Sequence, residues 1–242
     1  MRVIIAAIIG LSFIIGLYIV SNAYKSRAKA QELIRVTGSA EQDFESDLIV
    51  WKGIYSRRSM DLKSAYAQLK EDEKTVRNYL TQKGIPESEM VFSSVNIEKE
   101  YNYPTDANGR SLGQQFSGYN LSQNVRIESK NVDRVDKLSR EATELIQQGI
   151  ELNSMAPLFY YTKLTEIKMD LLAKASADGK KRAEIIGKNA GGGIGDLKNA
   201  NLGVFQITGK NTDEDYSYGG TFNTSSRFKT GSITIRMEFA VD

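Results

Sequence analysis

The apolar positions of the chain change period several times, and the longest run of a single period lies between Leu164 and Gly195. Apolar or small residues recur there at Leu164, Ile167, Leu171, Ala175, Gly179, Ala183, Ile186 and Ala190, mostly three or four apart, which is the repeat of one helical face. The spacing predicts the longest helix of the chain, stopped at Gly191, Gly192 and Gly193, because glycine reverses a chain after a helix without steric cost. Ala175, Gly179 and Ala183 keep the middle of its buried stripe small, so that a sheet or a second helix can come close to its backbone. A second helical stripe, Leu62, Tyr66, Leu69, Val76 and Leu80, follows Asp61 as N-cap and ends at Gly84 and Pro86. A third, Val132, Val135, Leu138, Ala142, Leu145 and Ile146, follows Asn131 and ends at Gly149.

Alternation of period two marks the strands: Leu33 into a turn at Gly38, Asp47 to Met60, Met90 to Tyr101, Phe116 to Ser129, a short stretch around Leu158 to Thr162, Leu197 to Thr208, and Phe228 to Val241. Trp51, the only tryptophan, shares a face with Ile49, Gly53 and Tyr55 and is assigned to the core. The stretches 102–115 and 209–227 are loops. The predicted order is ββα-ββα-βα-ββ, with about seven strands. Hairpins separated by single helices argue for an α+β fold, a mostly antiparallel or mixed sheet with about three helices packed on one face.

Ahead of this domain, Val3 to Val20 carries no charge over about 18 residues, the lower limit for crossing a bilayer core and long for the apolar part of a secretory signal. Three readings stay open: an uncleaved signal anchor forming an N-terminal apolar helix, a signal peptide cleaved near Ser21-Asn22-Ala23, and a buried core helix. Lys25, Arg27 and Lys29 follow the segment while only Arg2 and the amino group precede it, and the positive-inside rule on its own places the domain in the cytoplasm. The expected organisation is a signal anchor or transmembrane segment with a basic stalk over 1–32, and one α/β domain over 33–242.

Composition narrows the chemistry. The 242 residues are 40% hydrophobic and 26% charged, the balance of a folded chain. The net charge of +2 supplies no field for gathering nucleic acid. Histidine and cysteine are both absent, which removes the commonest general base, the thiol nucleophile and the usual zinc and disulfide chemistry. Gly191 to Gly195 follows a helix and precedes a strand, the reverse of the order a phosphate-cradling loop needs. Asp213, Glu214 and Asp215 are consecutive, without the alternation of a calcium loop, and read as solvated. The charged runs Lys70 to Lys74, Arg57-Arg58 and Lys180 to Arg182 read as solvated faces as well. Glu98, Glu100 and Asp106 have no assigned role. Tyr101, Tyr103, Tyr119, Tyr216, Tyr218 and Phe222 cluster near loops, where they suit partner or saccharide binding, or cover the ends of the sheet. No catalytic, cofactor-binding or metal-binding residue is assigned.

Several longer pieces resemble, in their order and spacing, the SIMPL-domain family, which includes bacterial oxidative-stress-defence proteins and a periplasmic immunogenic protein. They are VTGSAEQDFESDLIVW (Val36 to Trp51), LTQKGIPESEMVFSSVNIEKEYNY (Leu80 to Tyr103), GYNLSQNVRIESKNVDRVDKL (Gly118 to Leu138), KASADGKKRAEIIGKNAGGGIGDL within the long helix, and SITIRMEFAVD at the end. One departure is Ser46-Asp47, where the family usually places Pro-Asp. The resemblance implies an exported, envelope-associated protein without an established catalytic site, linked loosely to stress tolerance, and it favours the periplasmic side against the charge rule. The expectation is a non-enzymatic, membrane-anchored envelope protein acting as a homo-oligomer or through a protein partner, without cofactor or nucleic acid. The alternatives are a ligand-binding module for a saccharide, peptide or small metabolite at the 102–115 and 209–227 loops, and an acid/base enzyme using carboxylates with Lys or Tyr.

Overall fold

A computed structural model describes residues 10–21 and 32–241. Residues 10–21 are helical, with Leu11, Phe13 and Tyr18 exposed. The rest of the apolar N-terminal segment, 1–9, and the basic stalk, 22–31, lie outside the described residues. Among the described residues no helix is long and apolar enough to cross a membrane.

From Leu33 the order is β1 (Leu33–Glu45), β2 (Leu48–Ser59), α1 (Leu62–Gln82), β3 (Met90–Phe92), β4 (Asn96–Asn102), β5 (Gln115–Ser129), α2 (Val132–Glu141), β6 (Leu152–Ser154), β7 (Leu158–Tyr160), α3 (Leu164–Asn189), β8 (Ile194–Leu202), β9 (Gln206–Gly209) and β10 (Phe228–Val241). The strands form two sheets, and every pairing between them is antiparallel. The first has the order β1-β10-β8, with β9 also on β10; the second has the order β3-β5-β2-β6, with β4 on β5 and β7 on β2.

Each sheet has its own core. In the second, the inward side of β2 buries Ile49, Trp51 and Tyr55 against Ala65, Leu69 and Val76 of α1 and Val135 and Leu138 of α2. In the first, Ile233, Ile235, Met237 and Phe239 of β10 and Val36 of β1 meet Ile167, Leu171, Ala175 and Ala183 of α3. There the small stripe lets two backbones touch. A Cβ on Gly38 would lie 2.1 Å from the Ala175 carbonyl oxygen and 2.6 Å from the Gly179 nitrogen, so only glycine fits where β1 passes under α3. The edge of β1 is closed by the same helix, whose Asp178 carboxylate accepts the Ser39 N–H at 2.9 Å. The glycine stop acts as predicted: Gly191 has a φ of +83°, its N–H reaches the Lys188 carbonyl, and the Gly192 N–H reaches Gly187, a complete Schellman closure.

The architecture departs from the single layered sheet expected. Two helices cover one sheet and one helix covers the other. The turn expected at Gly38 does not form, since β1 runs through it to Glu45 in unbroken register with β10, and β1 and β2, joined at Ser46-Asp47, do not pair. Instead Ser46 N–H donates to the Arg227 carbonyl at 2.9 Å and Asp47 N–H to the Tyr160 carbonyl at 3.0 Å, passing the chain from one sheet to the other. Two stretches expected as single strands are pairs, and one strand, β6, was not expected. Met90 to Tyr101 breaks at Ser93, whose hydroxyl takes the Asn124 N–H at 3.1 Å in place of a regular ladder bond. Leu197 to Thr208 breaks at Gly203, where a Cβ would meet Thr234 Oγ1 at 2.8 Å. The region before α3 holds both β6 and β7, pairing with different parts of β2.

Candidate functional site

Three places collect the residues that could carry function: the outer end of the second sheet, the cleft between the sheets, and the 209–227 loop. The 102–115 loop joins β4 to β5 beside the Tyr101↔Phe116 pair. The 209–227 loop contacts the other end of the same sheet, where the Thr224 carbonyl accepts the Phe159 N–H at 2.7 Å and Phe159 pairs with Ile49 opposite Ser129. Between the two lies the length of β5, 15 residues or roughly 45 Å. The two loops therefore do not share a pocket, which corrects the expectation that one ligand site lies beside both.

At the outer end, Phe116 stacks edge-on against both Tyr101 and Tyr119, with ring centroids 5.9 Å and 5.1 Å away. Beyond this stack Tyr103, Leu112 and Met60 stand exposed, Tyr103 at 68%. The loop backbone is set by Asp106, whose Oδ1 accepts the N–H groups of Asn108 and Arg110, and by Gly109 at a φ of +77°. Trp51 is not part of any aromatic surface; it is fully buried, and its indole N–H donates to Ser154 Oγ at 2.9 Å.

The cleft between the sheets is lined by Ser46, Asp47, Lys130, Asp133, Lys163 and Arg227, with a volume of about 660 Å³. Arg227 bridges the two halves, at 2.5 Å from Glu45 of β1 and 2.6 Å from Asp133 of α2. These carboxylates, Asp133 foremost, push its pKa up. Asp47 accepts both the N–H and the hydroxyl of Thr162 just ahead of α3, at 2.7 Å and 2.6 Å. Within the cleft Arg227 is thus ion-paired across the two sheets and Asp47 is held by Thr162.

The 209–227 loop is wrapped around buried polar groups. Lys229 is 1% exposed, on the inward side of β10 in phase with Ile233 and Ile235, and opposite Phe44 of β1 and Gly209 of β9. Its Nζ donates to the carbonyls of Asn223 and Ser226, both at 2.6 Å, and to Asn223 Oδ1 at 3.2 Å. Burial of its charge lowers its pKa to about 8, opposed by attraction to Glu214. Glu214 is tied into the loop: one carboxylate oxygen accepts the Gly209 N–H at 2.8 Å and the other the Asn223 side-chain amide. These bonds, Gly209 first, hold its carboxyl below the usual range. Gln206 fixes the middle of the loop through Ser217 and Thr221.

One expectation of solvated charge is corrected in the second core. Asp213, Glu214 and Asp215 are exposed as expected, with Glu214 also bonded to Gly209 and Asn223. Arg57 and Asp72, assigned to separate solvated runs, meet in a two-pronged pair at 2.5 Å and 2.7 Å, with the Asp72 side chain 8% exposed. Lys229 was missed altogether, although its register, two positions from Gly231 and four from Ile233, marked it as a core position. Among the described residues no group of three or more His, Cys, Asp or Glu could hold a metal ion.

Residues 34–241 match a family model described as SIMPL, protein of unknown function (DUF541). A comparison with curated proteins finds no match.

Proposed function

The chain belongs to the SIMPL family, whose function is unknown, and on that premise we propose that it is a non-enzymatic envelope protein that works by self-association through the outer end of its second sheet. The observation that carries this reading is the exposed cluster of Tyr101, Tyr103, Leu112, Phe116 and Met60 around the 102–115 loop. Aromatic and methionine side chains grouped at one end of a sheet lose unfavourable hydration when a second surface covers them, and such residues are enriched at interface cores. The apolar N-terminal segment serves as the membrane tether in this reading. Its support is the uncharged run Val3 to Val20 together with the exposed apolar side chains of residues 10–21. The periplasmic side, and any part in oxidative or envelope stress defence, rest on the family resemblance.

The test is the mass of the full chain in detergent by light scattering, for the parent protein and for Tyr103→Ser combined with Leu112→Ser. The expected result is an oligomer that shifts towards monomer in the double variant with its circular dichroism unchanged. A parent that is monomeric at all concentrations, or an oligomer indifferent to the double variant, contradicts the reading. Protease accessibility on whole cells and spheroplasts checks the tether, with digestion only after the outer membrane is opened as the expected result.

A further inference from the structure

The structure assigns Lys229, Asn223 and Glu214 a covalent role: we propose that the Lys229 side-chain nitrogen condenses with the Asn223 side-chain amide, forming an intramolecular isopeptide bond with release of ammonia.

The three groups form one hydrogen-bonded chain, Lys229 to Asn223 and Asn223 to Glu214. The nucleophile and the electrophile are both buried, at 1% and 6% exposure, and the Lys229 nitrogen lies 3.2 Å from the Asn223 amide oxygen. The same oxygen accepts the Ser226 N–H at 2.8 Å, a fixed donor placed where negative charge develops as the carbonyl is attacked. The amide nitrogen that must leave donates to the Glu214 carboxylate, which the Gly209 N–H holds in place from its other oxygen. Glu214 touches the reacting amide and is the catalytic residue of the step. Phe44 lies across the ladder from Lys229 and packs against Tyr161 at 4.9 Å between ring centroids, so the site borders an apolar part of the first core.

The chemistry balances without an oxidant or a co-reactant. Lys229 attacks as the free amine, a form that its burial makes accessible near neutral pH. A bond forms between Nζ and Cγ of Asn223, and the bond from Cγ to Nδ2 breaks. Glu214, ionised at the outset, takes the proton shed by Nζ and passes it to Nδ2, which departs as ammonia. The product clamps the end of the 209–227 loop to the start of β10 in a chain that has no cysteine for a disulfide.

Trypsin reads the outcome, because Arg227 lies between the two residues while acylation of Lys229 blocks cleavage there. In the digest of the full chain, residues 211–227 and 228–236 are expected as one branched species, lighter than the sum of the two peptides by one ammonia. The same deficit is expected in the intact mass measured against the mature N-terminus. Recovery of unlinked 211–227 with normal cleavage after Lys229 overturns the proposal. So does a deficit confined to 211–227, which marks a succinimide at Asn223. Glu214→Gln is expected to restore the full mass and the separate peptides while keeping native circular dichroism; a branched species formed as completely in this variant overturns the role of Glu214. Lys229→Arg is expected to lose the link as well, and if it does not fold, the Glu214→Gln comparison and the parent digest decide the matter alone.

Discussion

The two halves of the molecule solve the same packing problem by opposite means. In the first, α3 comes down onto β1 until backbone meets backbone at Gly38 and Gly179, and the contact depends on the absence of side chains. In the second, α1 and α2 stand off the sheet on the bulk of Trp51, Tyr55, Leu69 and Leu80, all at most 1% exposed. The halves also differ in what they leave open. Both long loops leave aromatic rings in solvent, Tyr216, Tyr218 and Phe222 on 209–227 and Tyr103 on 102–115, but the loop of the first half also folds back over Lys229 and Gln206. The lesson is that two long loops with exposed aromatics in one chain need not be parts of one site: one also closes a core, and the other lies at the far end of the second sheet.

The largest expected effect breaks the second half. Trp51→Ala empties a fully buried site and removes the bond to Ser154, and should cost about 4 kcal/mol in chemical denaturation. Since the cores are separate, hydrogen exchange should rise first in 48–59 and 115–129 and later in 33–45; a uniform rise would show that the halves unfold as one unit. Gly38→Ala is the matching blow to the first half. The added methyl would press on backbone, which cannot turn aside, and should cost about 3 kcal/mol with the order of exchange reversed.

Much of this contrast was legible in the sequence, and the remainder fails for identifiable reasons. The period of α3, its small stripe and its glycine stop are local signals and appear in the structure as expected. Trp51 followed from the alternation of β2 alone. The division into two sheets was not legible, because it rests on distant pairings such as Glu45 with Phe228 and Leu48 with Tyr160, and a two-residue link looks the same whether or not its strands pair. The interruptions at Ser93 and Gly203 depend on contacts with Asn124 and Thr234 that no local pattern carries. Lys229 was hidden by residue type, since a lysine in a strand does not read as core and only its register and partners place it there, while Glu214 is exposed and only its bonds to Gly209 and Asn223 were not legible.

A pH experiment sharpens the account of the first half. In the unlinked variant Glu214→Gln, Lys229 titrates, and loss of the Glu214 attraction takes its folded pKa below the value of about 8 that it has beside that carboxylate. From that folded value up to the ordinary lysine value near 10.4 the unfolded chain binds the extra proton, so stability should rise with pH across that window, by roughly 3 kcal/mol. Comparison with Glu214→Gln combined with Lys229→Met isolates the effect, which should vanish in the double variant. A fall in stability over the same window would mean that the charged form is the one the loop prefers. The smallest expected change is at the cleft. Arg227→Ala removes the bridges to Glu45 and Asp133 and should cost about 1 kcal/mol, with a dependence on salt that the core variants lack.

The difference in what the two halves expose is tested most directly by amide hydrogen exchange on the full chain at low and high protein concentration. Self-association through the outer end predicts protection that grows with concentration over 101–116 and leaves 209–227 unchanged. Concentration-dependent protection in 209–227 with none in 101–116 would contradict it.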